Sequence, residues 1–376
     1  MLKKIVAVCV TFIFLLSVTA CGSGSKPAAT NTPTPEETKA TEAVTTEAPT
    51  ETAAPTEAPK SFVVGWSIDT VSTPFNAAED EAVKEAWSKY PEVTLYSTEA
   101  NADGLKQVSD VEDLVAKGAD ILMIKPRDEA TLAEVLRNTV DKIPVVLIDR
   151  YIADDSCYTI YVGTDNVALG RMVAESLVAD FDGKANICIA EGTAGGSSYL
   201  DRLKGINEVF AQYPDIKILS GQTSAAKRDE GKTLAENWIT AYGDDLDAII
   251  ALTDEITMGV FQACEEKNRT DIKLYSNNGQ TEALKEIMNE GSNYRLTAVF
   301  SSGVHPGVEV AWHILNNGTS DLPAKQIFIG TFNITAENAA EYYDESIYGV
   351  DFQPGGSPAV QDVIENTPFL KDLEYR

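Results

Sequence analysis

Short apolar runs alternate with longer amphipathic segments along the chain from residue 62 onward, and this alternation limits the possible folds more than any other feature. The runs have the length of buried β-strands. Strand–helix alternation of this kind predicts parallel sheets that are covered by helices on both faces. The predicted strands are Phe62–Ile68, Val93–Tyr96, Ile121–Ile124, Val145–Ile148, Ile160–Val162, Ala185–Ala190, Ile216–Leu219, Ala248–Leu252, Ile272–Tyr275 and Leu296–Phe300.

The segments between these runs have the apolar spacing of helices. Within residues 105–117, for example, Val108, Val111 and Val115 fall on one helical face. About ten strands exceed the ~4–6 strands of a common sheet, and residues 61–376 span about twice the usual domain length of roughly 150 residues. The sequence therefore predicts an α/β fold of two doubly wound parallel-sheet lobes joined by a hinge. The other predicted helices are residues 75–90, 129–140, 166–181, 200–213, 228–242, 255–267 and 303–316.

The N-terminus has the pattern of a secretory signal peptide, which predicts that residues 1–20 are removed. Lys3 and Lys4 precede an apolar run over residues 5–16, and small residues lead to Cys21. This ending resembles the lipobox of bacterial lipoproteins, in which the cysteine thiol receives a diacylglycerol. We therefore expect Cys21 to be the lipidated first residue of an extracytoplasmic chain anchored to the cell membrane. The alternative is an ordinary signal peptide with an incidental cysteine.

Residues 21–60 connect the predicted lipid to the folded part of the chain. Ser, Thr, Pro, Ala and Glu dominate this segment, and Val44 is its only larger aliphatic residue. Such a composition cannot bury enough apolar surface to offset the entropy of ordering the chain. The sequence therefore predicts a disordered tether, and the lipid is the only predicted contact with the membrane.

The chain is strongly acidic, with a formal net charge of −28. A protein this acidic is a poor partner for nucleic acid or for an anionic membrane surface. Only two histidines are present, and no Cys or His pair has the spacing of a zinc site, so neither a metal nor another cofactor is expected. Cys157, Cys188 and Cys264 are widely spaced and are expected to be buried free thiols.

Polar side chains follow the predicted strands at their carboxyl ends, where open α/β sheets bind ligands. Asp149 and Arg150 follow one strand, and Thr253 and Asn278 follow two strands of the second half. Because hydroxyl groups both donate and accept hydrogen bonds, this mixture of carboxylate, guanidinium, hydroxyl and amide groups suits a sugar or polyol. Further candidate ligand-binding residues at strand ends are Asp69, Thr73, Asn76, Lys125 and Ser301.

Two aromatic residues near the first strand, Trp66 and Phe75, are candidates for packing against the apolar face of a sugar ring. Alternatives remain open for both. Phe75 is alternatively a core residue beside the first predicted helix, and Trp66 lies within the strand, where core and pocket are equal alternatives. Lys125 is alternatively a solvated charge at a strand end.

A series of short motifs occurs in a fixed order along the chain: Val64-Gly65-Trp66-Ser67 with Pro74-Phe75, Lys125-Pro126-Arg127-Asp128, Pro144 to Arg150, Thr164-Asp165-Asn166 with Gly170, Arg202 with Gly205, Thr253-Asp254-Glu255 with Gly259, and Ile334 to Asn338. In this order and spacing they resemble the periplasmic-binding-protein type I fold, in the ribose-binding-like branch that serves ABC importers of sugars. The resemblance covers roughly residues 62–345. The lobes are expected to comprise residues 61–163 plus about 302–331, and residues 164–301 plus about 332–376 with the tail.

The resemblance implies roles for individual residues. Phe75 matches the aromatic residue that stacks on the sugar, and Asp149 and Arg150 match the pair that grips ring hydroxyls. The Arg150 side chain is expected to lie outside the core. Asn278 stands where the family commonly has an acidic ligand, and Thr253 stands where an asparagine is usual.

Further positions depart from the family pattern. Lys125 also stands where an asparagine is usual, and Ser301 stands where a glutamine is common. Leu200 occupies the place of a sugar-binding arginine two residues before Arg202, and Ala226 falls where an aromatic residue often covers the ligand. Arg202 completes the candidate ligand-binding set. These departures count against ribose itself and leave a small polar ligand, a monosaccharide or related polyol, as the expectation.

The resemblance and the signal peptide predict a monomeric solute-binding protein that closes two lobes on a monosaccharide or related polyol and delivers it to the membrane subunits of an ABC permease. The alternative that remains open is a ligand sensor that signals occupancy to a membrane receptor or kinase. An enzyme is not expected, because no motif pairs two carboxylates for glycoside hydrolysis and no Gly-x-Ser-x-Gly sequence is present. The signal peptide and the lack of a helix-turn-helix pattern exclude a DNA-binding repressor.

Overall fold

The structure is a computed structural model, and it describes residues 60–353, 356–367 and 370. The predicted signal peptide over residues 1–20, the predicted lipidated Cys21 and all of the predicted tether except Lys60 lie outside the described residues. No helix in the described part of the chain combines the length and the apolar character that a membrane span requires.

Strands and helices alternate along the described chain as the sequence predicts. In chain order they are β1 Phe62–Ile68, α1 Pro74–Ser88, β2 Val93–Glu99, α2 Gly104–Ala116, β3 Ile121–Ile124, α3 Glu129–Val140, β4 Val145–Ile148, β5 Ile160–Thr164, α4 Asn166–Asp180, β6 Ala185–Glu191, α5 Ser197–Phe210, β7 Ile216–Thr223, α6 Arg228–Tyr242, β8 Ala248–Ala251, α7 Asp254–Glu266, β9 Lys273–Asn278, α8 Thr281–Met288, β10 Tyr294–Val299, α9 Val304–Asn317, β11 Gln326–Ile329, β12 Asn333–Thr335, α10 Ala339–Tyr342 and α11 Pro358–Asn366.

Within the described residues the strands form two six-stranded sheets. The first has the order β11-β5-β4-β3-β1-β2, and its strand pairings are parallel. The second has the order β12-β10-β9-β8-β6-β7, and it is parallel except that β12 runs antiparallel to β10. The predicted α/β fold with two doubly wound lobes is therefore confirmed.

The central strands are buried on both faces, because helices cover each side of the sheets. Every residue of β3, β4 and β8 is buried, as expected for the middle of a parallel sheet. Side chains fix the helix starts that follow two strands. Thr73 Oγ1 accepts the N–H of Asn76 at the start of α1, where Pro74 takes the first helical position. Thr253 Oγ1 accepts the N–H of Ile256 at the start of α7.

The last part of the chain is shared between the two sheets. After β10, α9 and β11 return to the first sheet, and β12 then joins the edge of the second. The tail crosses once more, since Val360, Ile364 and Leu370 belong to the hydrophobic core of the first sheet. The prediction that the whole of residues 332–376 belongs to the second lobe is therefore corrected for α11, whose apolar face packs on α9 and β11. The other lobe boundaries stay predictions.

The cysteines within the described chain confirm the prediction of buried free thiols. Cys157, Cys188 and Cys264 are buried and are not joined by disulfides. Burial raises the pKa of both Cys188 and Cys264 to about 12, so these thiols stay protonated and unreactive near neutral pH. Among the residues that the structure describes, no group of three or more His, Cys, Asp and Glu side chains is placed to hold a metal ion.

Candidate ligand-binding site

A cavity lies where the carboxyl ends of strands from the two sheets face each other, the position at which open α/β sheets bind ligands. The empty space is about 420 Å³, including the part open to solvent. The lining residues are Thr73, Phe75, Asn76, Lys125, Asp149, Arg150, Ser198, Tyr199, Arg202, Ala226, Thr253, Glu255, Asn278, Gln280, Phe300 and Tyr348.

Most of the candidate residues from the sequence line this cavity, and three do not. Trp66 is fully buried in the hydrophobic core of the first sheet, and its indole N–H donates to Asp80 Oδ1 at 2.8 Å. The strand pleat alternates side chains between the two sheet faces, so Trp66 packs on the same face as other core residues. A ligand-contact role for Trp66 is thus corrected to a core role.

The other two residues that do not line the cavity are Ser301 and Asp69. Ser301 is buried; its backbone N–H donates to Thr164 Oγ1 at 2.8 Å and its Oγ accepts the N–H of Gly303 at 3.2 Å. Its neighbour Phe300 lines the cavity instead. Asp69 lies behind Arg150 as its ion-pair partner.

Lys125 organises the wall formed by the first sheet. Its Nζ lies 2.9 Å from Asn76 Oδ1, 2.5 Å from Glu79 Oε2 and 2.6 Å from Asp149 Oδ2, which matches its three donors. Burial lowers the pKa of Lys125, but the neighbouring carboxylates outweigh burial and the net shift is upward. Burial raises the pKa of Glu79. Because these three contacts use all three donors of Lys125, this side chain holds Asn76 and Asp149 in position and has no donor left for a ligand.

Arg150 forms a buried ion pair behind the cavity and presents further donors at its wall. Its Nη1 donates to Asp69 Oδ2 at 2.8 Å, while Nε and Nη2 make no hydrogen bond within the described residues. Burial raises the pKa of the Asp69 carboxyl, but Arg150 and Lys125 outweigh it, so the net pKa is lowered. Asp149 adopts a left-handed backbone conformation with φ 62°, and its Oδ2 is held by Lys125.

The wall formed by the second sheet carries amide and guanidinium groups. Asn278 Oδ1 and Gln280 Nε2 are buried and have no hydrogen-bond partner within the described residues. Arg202 is held rigidly, because its Nε donates to Asn166 Oδ1 at 2.9 Å and its Nη1 donates to Asn277 Oδ1 at 2.9 Å. This wall therefore offers both an acceptor and a donor to a molecule in the cavity.

An aromatic cluster closes one side of the cavity. The Phe75 ring lies 5.8 Å from the Phe300 ring, 6.3 Å from the Tyr348 ring and 5.3 Å from the Phe352 ring, between centroids. The Arg202 guanidinium lies 4.6 Å from the Phe300 ring centroid, in cation–π range. Phe75 thus lines the cavity and also packs against Phe300, which follows a strand of the second sheet.

Several lining residues were not among the candidates from the sequence. Gln280 comes two residues after Asn278, and Phe300 comes directly before Ser301, so the strand-end rule could have found both. Tyr199 follows a glycine-rich strand–helix loop, which is a weaker signal. Tyr348 lies beyond the last motif and carries no sequence signal, because only the folded chain brings it back to the cavity. Leu200, placed at a family arginine position, is 57% exposed and lies outside the lining.

Comparison with known proteins gives relatives over most of the described chain. A family profile described as "Periplasmic binding protein domain" matches residues 64–315. The chain is 32% identical to the ribose import binding protein of Bacillus subtilis, over 61% of this chain and 73% of that protein. It is 31% identical to the galactofuranose-binding protein of Escherichia coli, over 62% of this chain and 76% of the relative. It is 30% identical to the xylitol-binding protein of Mycolicibacterium smegmatis, and this match spans only 58% of that protein and 54% of this chain.

Solved structures share the fold. A crystal structure of a galactofuranose binding protein superposes with a TM-score of 0.70 at 28% identity, covering 74% of this chain and 96% of the other. The periplasmic binding protein component of the arabinose ABC transporter from Shewanella sp. ANA-3 superposes with a TM-score of 0.69 at 28% identity, covering 74% and 93%. Since the family profile also matches more than half of the sequence, the chain belongs to the periplasmic binding protein domain family, as a ribose-binding-like type I member.

Proposed function

We propose that this protein captures one monosaccharide or related polyol outside the cytoplasm and delivers it to the membrane subunits of an ABC permease. The observation that carries the proposal is the cavity in which carboxylate, guanidinium, amide and aromatic groups from both sheets converge. Relatives named for binding ribose, galactofuranose and xylitol support this class of ligand.

Unused polar atoms in the cavity wall support a hydroxylated ligand. Arg150 Nε and Gln280 Nε2 are donors and Asn278 Oδ1 is an acceptor, and none of these three buried atoms has a hydrogen-bond partner within the described residues. A buried polar group without a partner costs about 1–3 kcal/mol, so a ligand that both donates and accepts recovers this energy. Sugar hydroxyls do both, whereas an anion would satisfy only the donors and would face the Asp149 carboxylate.

A thermal-shift screen tests the ligand class. We expect the processed chain to melt several degrees higher with at least one pentose, hexose or polyol, because a ligand at one hundred times its Kd stabilises the native state by about 2.7 kcal/mol. Amino acids serve as small polar controls and should leave the melting temperature unchanged. If no sugar, polyol or nucleoside raised it, the proposed function would be wrong.

Delivery to a permease is a separate part of the proposal. Cells that lack this chain should take up the identified ligand more slowly than cells that contain it, because capture outside the membrane supplies the transporter. Unchanged uptake with intact ligand binding would contradict delivery and favour the ligand-sensing hypothesis.

Lipid anchoring at Cys21 also remains part of the proposal. The Cys21→Ser variant should be released from the membrane or should accumulate as an unprocessed precursor, because serine cannot accept the thioether-linked diacylglycerol. Membrane and soluble fractions separated by centrifugation provide the measurement. A variant that was still processed and held on the membrane would refute the lipobox interpretation.

A further inference from the structure

A second cavity lies at the surface beside the ligand cavity. The two share the lining residues Thr73, Ala226 and Glu255, and the second encloses about 740 Å³, including the part open to solvent. Pro74 from the start of α1 forms one side of the second cavity, and Asp229 from the start of α6 forms the other. Ala226 has the smallest side chain of the three shared residues, so a ligand that occupied both cavities would pass along its methyl group; this path is the passage between the cavities.

The turn that carries Ala226 is held in an unusual conformation. Ala225 and Ala226 have φ angles of 46° and 58°, in the left-handed region that favours glycine. The turn is fixed at its base, because the backbone N–H and the Oγ of Ser224 both donate to the carbonyl oxygen of Glu191, at 2.9 and 2.7 Å. Ala226 is buried and Ala225 is exposed. The Ala226 methyl group therefore faces the passage between the cavities, and the Ala225 methyl group faces solvent.

Two of the three cations that line the second cavity, Arg228 and Lys232, are already paired with carboxylates. Arg228 Nε lies 3.2 Å from Glu255 Oε1, and Arg228 Nη2 lies 2.6 Å from Glu282 Oε2. Lys232 Nζ lies 2.7 Å from Glu266 Oε2. Carboxylates neutralise these two cations, and the remaining lining charges, Lys227 and Asp229, have opposite signs. The second cavity therefore has no excess of positive charge for a phosphate or carboxylate and suits a neutral group.

We infer that the second cavity is a subsite for a neutral substituent on the bound sugar, so that the protein takes a glycoside or a disaccharide as well as a free monosaccharide. This inference rests on the proposed function, since the sugar ring itself would occupy the first cavity. Ala226 is the specificity-determining position, because it lines both cavities and a larger side chain would fill the space between them.

Calorimetry with matched probes tests the inference. The probes are D-ribose, L-arabinose, D-xylose and D-galactose, each as the free sugar and as its p-nitrophenyl glycoside, titrated into the processed chain. We expect at least one glycoside to bind within tenfold of its free sugar. Ala226→Phe should weaken that glycoside at least tenfold, and it should weaken the glycoside several times more than the free sugar, because Ala226 borders both cavities.

Two further variants keep the result interpretable. Ala225→Phe places the same side chain on the exposed position of the same turn, and it should change neither affinity. Ala226→Leu fills less of the passage, so it should give a smaller loss in the same direction, and it replaces the phenylalanine variant if that variant fails to fold.

Contrary results separate the two proposals. Free-sugar binding with glycosides bound more than a hundredfold more weakly would overturn the subsite alone. An equal loss of both ligands in the Ala226 variants would do the same, because it would show that the larger side chain disturbs only the sugar and not its substituent. Absence of binding by every sugar and glycoside would contradict the proposed function, and the subsite with it.

Discussion

Arg150→Ala should weaken sugar binding by about tenfold to a hundredfold or more. A buried hydrogen bond to a charged group contributes about 1.5–3 kcal/mol, and Arg150 presents unpaired Nε and Nη2 donors at the cavity wall. The variant should also lose stability. Its Nη1 is the 2.8 Å partner of the buried Asp69 carboxylate, and removal of one partner of a buried pair costs about 3–5 kcal/mol.

Only 5% of Arg150 is exposed, and this burial corrects the expectation that its side chain lies outside the core. The double variant Asp69→Asn/Arg150→Ala removes the unpaired charge, so it should regain much of the stability without regaining affinity. Arg127→Ala is the matched control, because Arg127 lies 3.9 Å from the same carboxylate but does not line the cavity. Titration calorimetry and urea unfolding measure the two effects. Wild-type affinity in Arg150→Ala would move the binding site elsewhere.

Asp254→Ala should lower the free energy of unfolding by about 3–5 kcal/mol. The Asp254 carboxylate is fully buried and accepts from Tyr294 Oη, Thr297 Oγ1 and the N–H of Gln280, each at 2.7 Å, and from Ser276 Oγ. Alanine would leave these donors without their acceptor, and each such group costs about 1–3 kcal/mol. The measurement is urea unfolding followed by circular dichroism.

Asp254→Asn is the control, because it keeps one carbonyl oxygen and the shape of the side chain. It should lose clearly less stability than Asp254→Ala. Since Gln280 lines the ligand cavity, both variants should also weaken ligand binding. Equal stability of Asp254→Ala and the unmodified chain would show that water or a side-chain rearrangement satisfies the network.

The sheet and its strand ends could be predicted because their signals are local. Apolar runs such as Ile121–Ile124 and Val145–Ile148 are strands with these same bounds. The strands β11 and β12 were not predicted, because they have only four and three residues and lie at sheet edges. Helix α11 was not predicted either, since its place depends on packing with α9 far from it in sequence.

In the candidate site, too, the sequence predicts which residues follow a strand but not their distant partners. Residues directly after a strand, such as Lys125 and Asn278, line the cavity as the strand-end rule predicts. What such a residue does there depends on partners that are distant in sequence. Lys125 is engaged by Glu79 on α1, and Trp66 faces the core because of the pleat of β1. Neither fact has a signal in the neighbouring sequence.

The two edge strands near the C-terminus have a consequence for biosynthesis. Each sheet receives its last edge strand, β11 or β12, only from residues 326–335. A growing chain emerges at about 5–20 residues per second, so the outer edges of β5 and β10 stay unpaired until nearly all of it is available. Unpaired edges recruit strands from other chains. The outer edges of both sheets therefore stay open to pairing with other chains until residues 326–335 are in place.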